Sequence, residues 1–156
     1  MIAVSRRPQP PERPIPRRAY GEPRELDRPA AMSSRAPAVG EMLPRAAEAF
    51  GVRSKLETYS LDVTNEVGAP KARGFSLILG ITIEAIEYLE AQIMARVLDT
   101  PVCEVRENPP WGVNCVIDMP IRGIGAKADR VANVRTAWIV STPGGPPRLV
   151  SAYIDV

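Results

Sequence analysis

A chain of 156 residues is long enough for one ordinary domain and too short for two large ones. Its 45% apolar and 24% charged residues, with a net charge of +2, form an unexceptional globular composition, so bulk charge names no partner. The chain has no His, which removes the commonest acid-base group at neutral pH and the commonest zinc ligand, and with them Ser-His-Asp hydrolases, papain-like thiol enzymes and most zinc hydrolases. Catalysis is left to Lys, Arg, Tyr, Ser, Thr or carboxylates, with no metal and no cofactor expected. No stretch approaches the ~20 apolar residues of a membrane span and no apolar run follows the N-terminal Arg pairs, so a cytoplasmic protein with no membrane partner is expected.

Residues 1–40 read as a tail. The first 45 residues carry nine Arg, no Lys and nine of the 17 Pro, too much Pro for a helix and too few apolar residues for a strand. A linker, a docking arm for a partner and an anchor to an acidic surface such as RNA all fit that composition. A single domain is expected over residues 41–156. Leu43, Ala46, Ala47 and Phe50 repeat at helical spacing before Gly51, which predicts a first helix. "KLETYSLD" (residues 55–62) reads as a short extended piece with Leu56 and Tyr59 buried, and "NEVG" as a turn.

Pro70 fits the first turn of a helix that runs to Leu79, with Gly80 as its stop and Ala72, Phe75 and Leu79 on its buried side. Gly74 in its interior costs ~1 kcal/mol relative to Ala and suggests close approach of a backbone or a ligand. Lys71, with Arg73 nearby, then reads as an anion contact, although a Lys in a first turn is ordinarily just solvated. Thr82 is placed to cap a further helix, Ile83 to about Leu98, with a stripe of Ile86, Leu89, Ile93 and Val97.

After Pro101 the apolar period becomes two. The strands predicted are "VCEV", "VNCVIDM", "VANVRTAWIV" and "RLVSAYI", separated by Asn108-Pro109-Pro110, a Gly-bearing loop and a Pro-Gly-Gly-Pro-Pro turn. Helices first and an antiparallel meander second define an α+β domain, with the N-terminal helices packed on one face of a three- to four-stranded antiparallel sheet. Cys103 and Cys115 fall in or beside neighbouring strands and read as buried thiols rather than a disulfide.

Alternation separates two strand faces. If the more apolar sides point at the helices, the open face collects Asn114, Asp118, Asn133, Arg135, Ser151 and Tyr153, with Leu149 on the same side of its strand as the last two. That set can bind a phosphate and move a proton, and one solvated polar face is also what any helix-backed antiparallel sheet shows. Trp138 fits either side and is more often core; Trp111, at a turn, is the expected exposed aromatic.

The segments "KLETYSLD", "GAPKARGFSLILGI", "WGVNCVIDMPIRG", "VANVRTAWIV" and "PPRLVSAYI" resemble a small bacterial family known as a domain of unknown function. Its members share a Gly-x-x-Lys-Ala helix ending in Leu-Gly, a Tyr-Gly turn, a Thr-x-Trp strand and a closing Leu-Val-Thr-Ala-Tyr strand. The resemblance covers Lys55 to Ile154, with Trp111-Gly112 in place of Tyr-Gly, Ser151 in place of the last Thr, and no counterpart, around Val63 to Val67, of the family's usual His-Pro. It implies a module found in polymorphic toxins or beside a short partner gene, hence a small antitoxin or immunity protein as partner and RNA as substrate. The layout is similar to that of barnase-like and RelE-like ribonuclease toxins, of which the latter work without a catalytic His. Carried over, Arg135 would neutralise a phosphate with help from Lys71, Tyr153 or Asp118 would transfer protons, and Ser151 would hydrogen-bond the phosphate. Arg73, Asn114, Asn133 and Trp111 would contact the rest of the substrate. A non-catalytic interaction or assembly module is the alternative.

Overall fold

The structure, a computed structural model, describes residues 36–155. The predicted tail lies outside the described residues as far as residue 35; within residues 36–40, Gly40 N donates to Val102 O at 2.8 Å.

The first predicted helix is replaced by a single 3-10 turn, Ala46–Glu48. Pro44 and the left-handed Arg45 (φ 56°) stop helical propagation. Leu43 and Ala46 are buried as their spacing suggests, but Phe50 is 49% exposed. Its backbone instead bridges the last strand in parallel, with Phe50 N donating to Pro147 O at 3.0 Å and Leu149 N to Phe50 O at 3.1 Å.

Residues 55–60, expected to be extended, are helical. Helix α1, Val52–Lys55, continues through a wider π-helical turn, Leu56–Ser60, closed by Leu61 N donating to Leu56 O at 2.9 Å. Val52, Leu56 and Ser60 are its buried line, and Tyr59 is half-buried rather than core. The Asn65 carboxamide then receives the Val67 and Gly68 amides, each at 2.9 Å, and closes the predicted turn. Gly68 is needed there: a Cβ would lie 2.0 Å from the Tyr59 carbonyl oxygen.

Helix α2, Ala69–Gly74, carries Pro70 in its first turn and runs into a second π-helical turn, Phe75–Leu79. Gly80 ends it at φ 70° with its N donating to Ser76 O at 3.0 Å, the bond of an αL closure, and Ile81 N reaches back to Phe75 O at 3.0 Å. Ala72, Phe75 and Leu79 are buried as predicted. Gly74 is not a point of close approach, since a Cβ there would meet nothing within 4 Å. A 3-10 turn, Ile83–Ala85, leads into α3, Ile86–Asp99, which buries Leu89, Ile93 and Val97; Thr82 makes no side-chain cap bond.

The sheet is a four-stranded antiparallel meander in the order β1-β2-β3-β4: Glu104–Asn108, Gly112–Arg122, Val131–Val140 and Arg148–Ile154. The helices cover one face, and Phe75, Leu79, Leu89 and Ile93 share a core with Cys115, Ile117, Met119, Val134 and Trp138. The indole of Trp138 is fully buried; its Nε1 donates to Thr136 Oγ1 at 2.9 Å, and that hydroxyl donates to Ile117 O at 2.8 Å. The α+β expectation is therefore met, with all four strands present.

One strand departs from simple alternation. The register between β3 and β4 shifts at Ala137/Trp138, pairing Trp138 with Leu149 and Ala137 with Ser151. Val150 is the extra residue of a β-bulge. Leu149 consequently turns into the core at 0% exposure, correcting its expected place beside Ser151, while Arg148 pairs with Ile139 on the open face. Cys115 is buried, but Cys103 is exposed rather than buried, and both are free thiols. No helix among the described residues is long and apolar enough to cross a membrane.

Candidate functional site

The sheet face opposite the helices is ordered in rows by strand pairing. Asp118, Arg135 and Tyr153 are cross-strand partners in one row; Glu104, Val116, Ala137 and Ser151 form the next; Arg106, Asn114, Ile139 and Arg148 form the one beyond. Paired residues project to the same side, so each row is a line of neighbouring side chains.

Arg135 holds Asp118 with a two-pronged grip, Nε to Oδ1 at 2.8 Å and Nη2 to Oδ2 at 2.9 Å. Asp155 lies 4.0 Å from Nη2. The Arg135 side-chain bond holds the Asp118 carboxyl below its ordinary range, against the opposing effect of partial burial and with smaller help from Asn133 and Cys103. The same pair raises the guanidinium further, so both groups are locked as ions. Two of the five guanidinium N–H groups are used on Asp118, and no described residue accepts from Nη1.

Lys71 reaches this row from α2. Its ammonium donates to the Tyr59 hydroxyl at 2.8 Å and lies 4.6 Å from the centre of the Tyr59 ring and 5.2 Å from that of Tyr153. The placement follows from the local fold: the Gly68 backbone packed on the Tyr59 carbonyl sets α2 against the end of α1, and Lys71 then stands over the Tyr59 ring.

Of the predicted site residues, Lys71, Asp118, Arg135 and Tyr153 thus form one continuous cluster, with Asn133 beside Asp118 and Ser151 one row away. Asn114 and Trp111 are not in this cluster; they line a separate cavity at the other end of the same face. Arg73 is elsewhere, on the lip of an apolar cleft between α1 and α2. Sequence reasoning missed Tyr59 and Asp155. Tyr59 was hidden by reading its segment as extended, although Val52, Leu56 and Ser60 at intervals of four carry the helical signal. Among the described residues, no three of Cys, Asp and Glu cluster as they would to hold a metal ion.

Fold and face together define a small α+β domain with a charged, aromatic-flanked cluster on its uncovered sheet surface. The chain belongs to the family described as a domain of unknown function, DUF6883, whose model matches residues 42–156. That match begins upstream of Lys55, where the recognised segments start, and takes in the Ala46–Glu48 turn. No curated protein and no solved structure matches the chain.

Proposed function

We propose that this domain is a metal-independent ribonuclease of bacterial toxin type, which cleaves RNA by attack of a 2'-hydroxyl on the adjacent phosphate. The observation that carries the reading is the convergence of Asp118, Arg135 and Tyr153 in one cross-strand row, with the Lys71 ammonium 5.2 Å from the Tyr153 ring. In this scheme the unoccupied Nη1 edge of Arg135 binds a phosphate oxygen, and Lys71 adds positive charge as the transition state becomes more anionic. Asp118, kept ionised, accepts the 2'-hydroxyl proton, and the Tyr153 phenol gives its proton to the departing 5'-oxygen. The O2'–P bond forms as the P–O5' bond breaks, leaving a 2',3'-cyclic phosphate with no change of oxidation state. Ser151, one row away, hydrogen-bonds the phosphate.

Such a toxin works in the cytoplasm of the cell that makes it or of the one that receives it, and its partner is a small antitoxin or immunity protein. The test is incubation of the purified protein with RNA in the presence of a chelator. Fragments ending in 2',3'-cyclic phosphate are expected from the wild type and none from Arg135→Ala, with both proteins equally folded by circular dichroism. Intact RNA with the folded wild type overturns the reading.

A second reading, a non-catalytic protein-interaction module, is favoured by a different observation. A cleft of about 470 Å³ between α1 and α2 is bounded by Leu61, Val63, Ala72, Leu77 and Ile83. Leu77 is 70% and Val63 69% exposed, an unusual concentration of uncovered apolar side chains around one depression. Under this reading Leu77→Glu abolishes partner capture while Arg135→Ala leaves it intact.

A further inference from the structure

A second cavity, of about 320 Å³, lies on the open face beyond the Ser151 row, bounded by Asn108, Trp111, Asn114, Ile139, Arg148 and Val150 together with Ser141. Asn114 is four residues along β2 from Asp118, about 13 Å at the rise of an extended strand. Three local devices build it. The β1–β2 hairpin closes with Trp111 N donating to Asn108 O at 2.7 Å and delivers Trp111 to the rim at 67% exposure. The next residue, Gly112, sits at φ 130°, where a Cβ would fall 2.2 Å from the Val140 carbonyl oxygen; only Gly lets the hairpin lie this close to the end of β3. The bulge at Val150 brings Arg148 onto the open face opposite Ile139.

The lining chemistry is specific. Trp111 offers a flat aromatic face, and Ile139, only 5% exposed although it belongs to the open face, gives an apolar floor. The side-chain amides of Asn108 and Asn114 bond to no described residue and present donors and acceptors at the cavity. Arg148 makes no ion pair with a described residue. A planar ligand with a hydrogen-bonding edge and a nearby negative charge satisfies all of these groups together. A protein aromatic side chain would satisfy the indole and the floor but leave the two amides and the guanidinium without partners.

We infer that this cavity is a nucleobase subsite: one base of a single strand stacks on Trp111, its edge is read by Asn108 and Asn114, and the neighbouring phosphate is held by Arg148. The separation from Arg135 falls within the few nucleotides that one domain covers. The inference deepens the ribonuclease reading and rests on it for the strand being a substrate, but binding and cleavage are read separately.

The experiment titrates the full chain with short single-stranded DNA and with 2'-O-methyl RNA of the same sequence, neither of which can be cut by 2'-hydroxyl attack, and follows tryptophan fluorescence. Trp138 is fully buried, so any quenching reports on Trp111. Saturable quenching is expected in the wild type, and the anisotropy of a fluorescein-labelled strand, which does not depend on the protein's own tryptophans, should give a Kd about tenfold higher for Trp111→Ala than for the wild type at fixed salt. Arg148→Gln should lower the salt dependence of binding by roughly one phosphate contact. Because residues 1–35 are Arg-rich and any phosphate contact they make is common to wild type and variant, the comparison of the two at one salt concentration is what decides. Trp111-dependent binding without RNA cleavage supports the subsite and overturns only the nuclease. RNA cleavage with strand affinity unchanged in Trp111→Ala overturns the subsite, as does the absence of quenching by either strand.

Discussion

Arg135 and Asp118 face each other as register partners on adjacent strands and meet through two parallel hydrogen bonds of 2.8 and 2.9 Å. A Lys in place of Arg135 keeps the charge but cannot hold a carboxylate with one edge while offering a second edge to a phosphate. Arg135→Lys should therefore lower the rate of RNA cleavage by roughly a hundredfold, comparable with the loss of one preorganised donor. Single-turnover cleavage measured beside the melting temperature checks this, and a rate unchanged by the substitution argues against a phosphate contact there.

The same pair sets a pH dependence. Asp118 has a lower pKa folded than unfolded, so its contribution to stability is complete above the ordinary carboxylate value of about 4 and is lost as the pH falls through the depressed folded value. The wild type should lose its stability advantage over Asp118→Asn between about pH 5 and pH 2, with the two curves running parallel above that range. Urea midpoints across that range provide the measurement. A constant gap at all pH values would mean that the ion pair contributes nothing.

Buried polarity makes a sharper stability prediction. Thr136 Oγ1 receives the Trp138 indole N–H at 2.9 Å and donates to Ile117 O at 2.8 Å, all within the core. Thr136→Val keeps the shape but strands the indole donor, which should cost about 1–3 kcal/mol. Thr136→Ser keeps the hydroxyl and should cost less. Equilibrium urea unfolding with unchanged m separates the two, and equal losses would show that the hydroxyl is incidental.

Two glycines close in sequence should respond in opposite senses. A Cβ at Gly68 would collide with the Tyr59 carbonyl oxygen at 2.0 Å, while one at Gly74 would meet nothing within 4 Å. Gly68→Ala should destabilise by ~3 kcal/mol or more, since backbone must move, and it should also displace Lys71 from Tyr59. Gly74→Ala should stabilise by ~0.5–1 kcal/mol through helix propensity and loss of unfolded-state freedom. Thermal melts of both variants suffice.

The two thiols should differ in reactivity. Cys115 is buried, and that burial pushes its thiol up to about 11, whereas Cys103 is exposed. One equivalent of a disulfide reagent should react in the native protein and two in urea.

Where a single period ran uninterrupted, the fold could be read from the residues alone. The stripe of Leu89, Ile93 and Val97 and the alternation of Cys115, Ile117 and Met119 gave α3 and β2 with their buried sides. Reading failed where one residue broke a period. Arg45 in a left-handed conformation cancelled a helix of whose predicted stripe only Leu43 and Ala46 are buried, and the bulge at Val150 reversed the side on which Leu149 falls. Local sequence carries neither event strongly, because both are fixed by distant partners: Phe50 docks on β4, and β4 must bring both Leu149 and Ala152 into the core. The candidate site was legible as a set of polar alternates on three strands. Its partition into an ionic cluster and a separate aromatic cavity was not, since row order depends on cross-strand register.

Phe50 and β1 decide how this sheet meets other chains. A meander of consecutive hairpins has two outer borders whose unpaired amides invite a foreign strand. At the β4 border, Phe50 occupies the first pairing position, and at the β1 border a five-residue strand carries Glu104, Arg106 and Glu107. Strand addition is thereby blocked at the start of β4 and disfavoured by charge along β1, which leaves the open face as the broader surface for recognition.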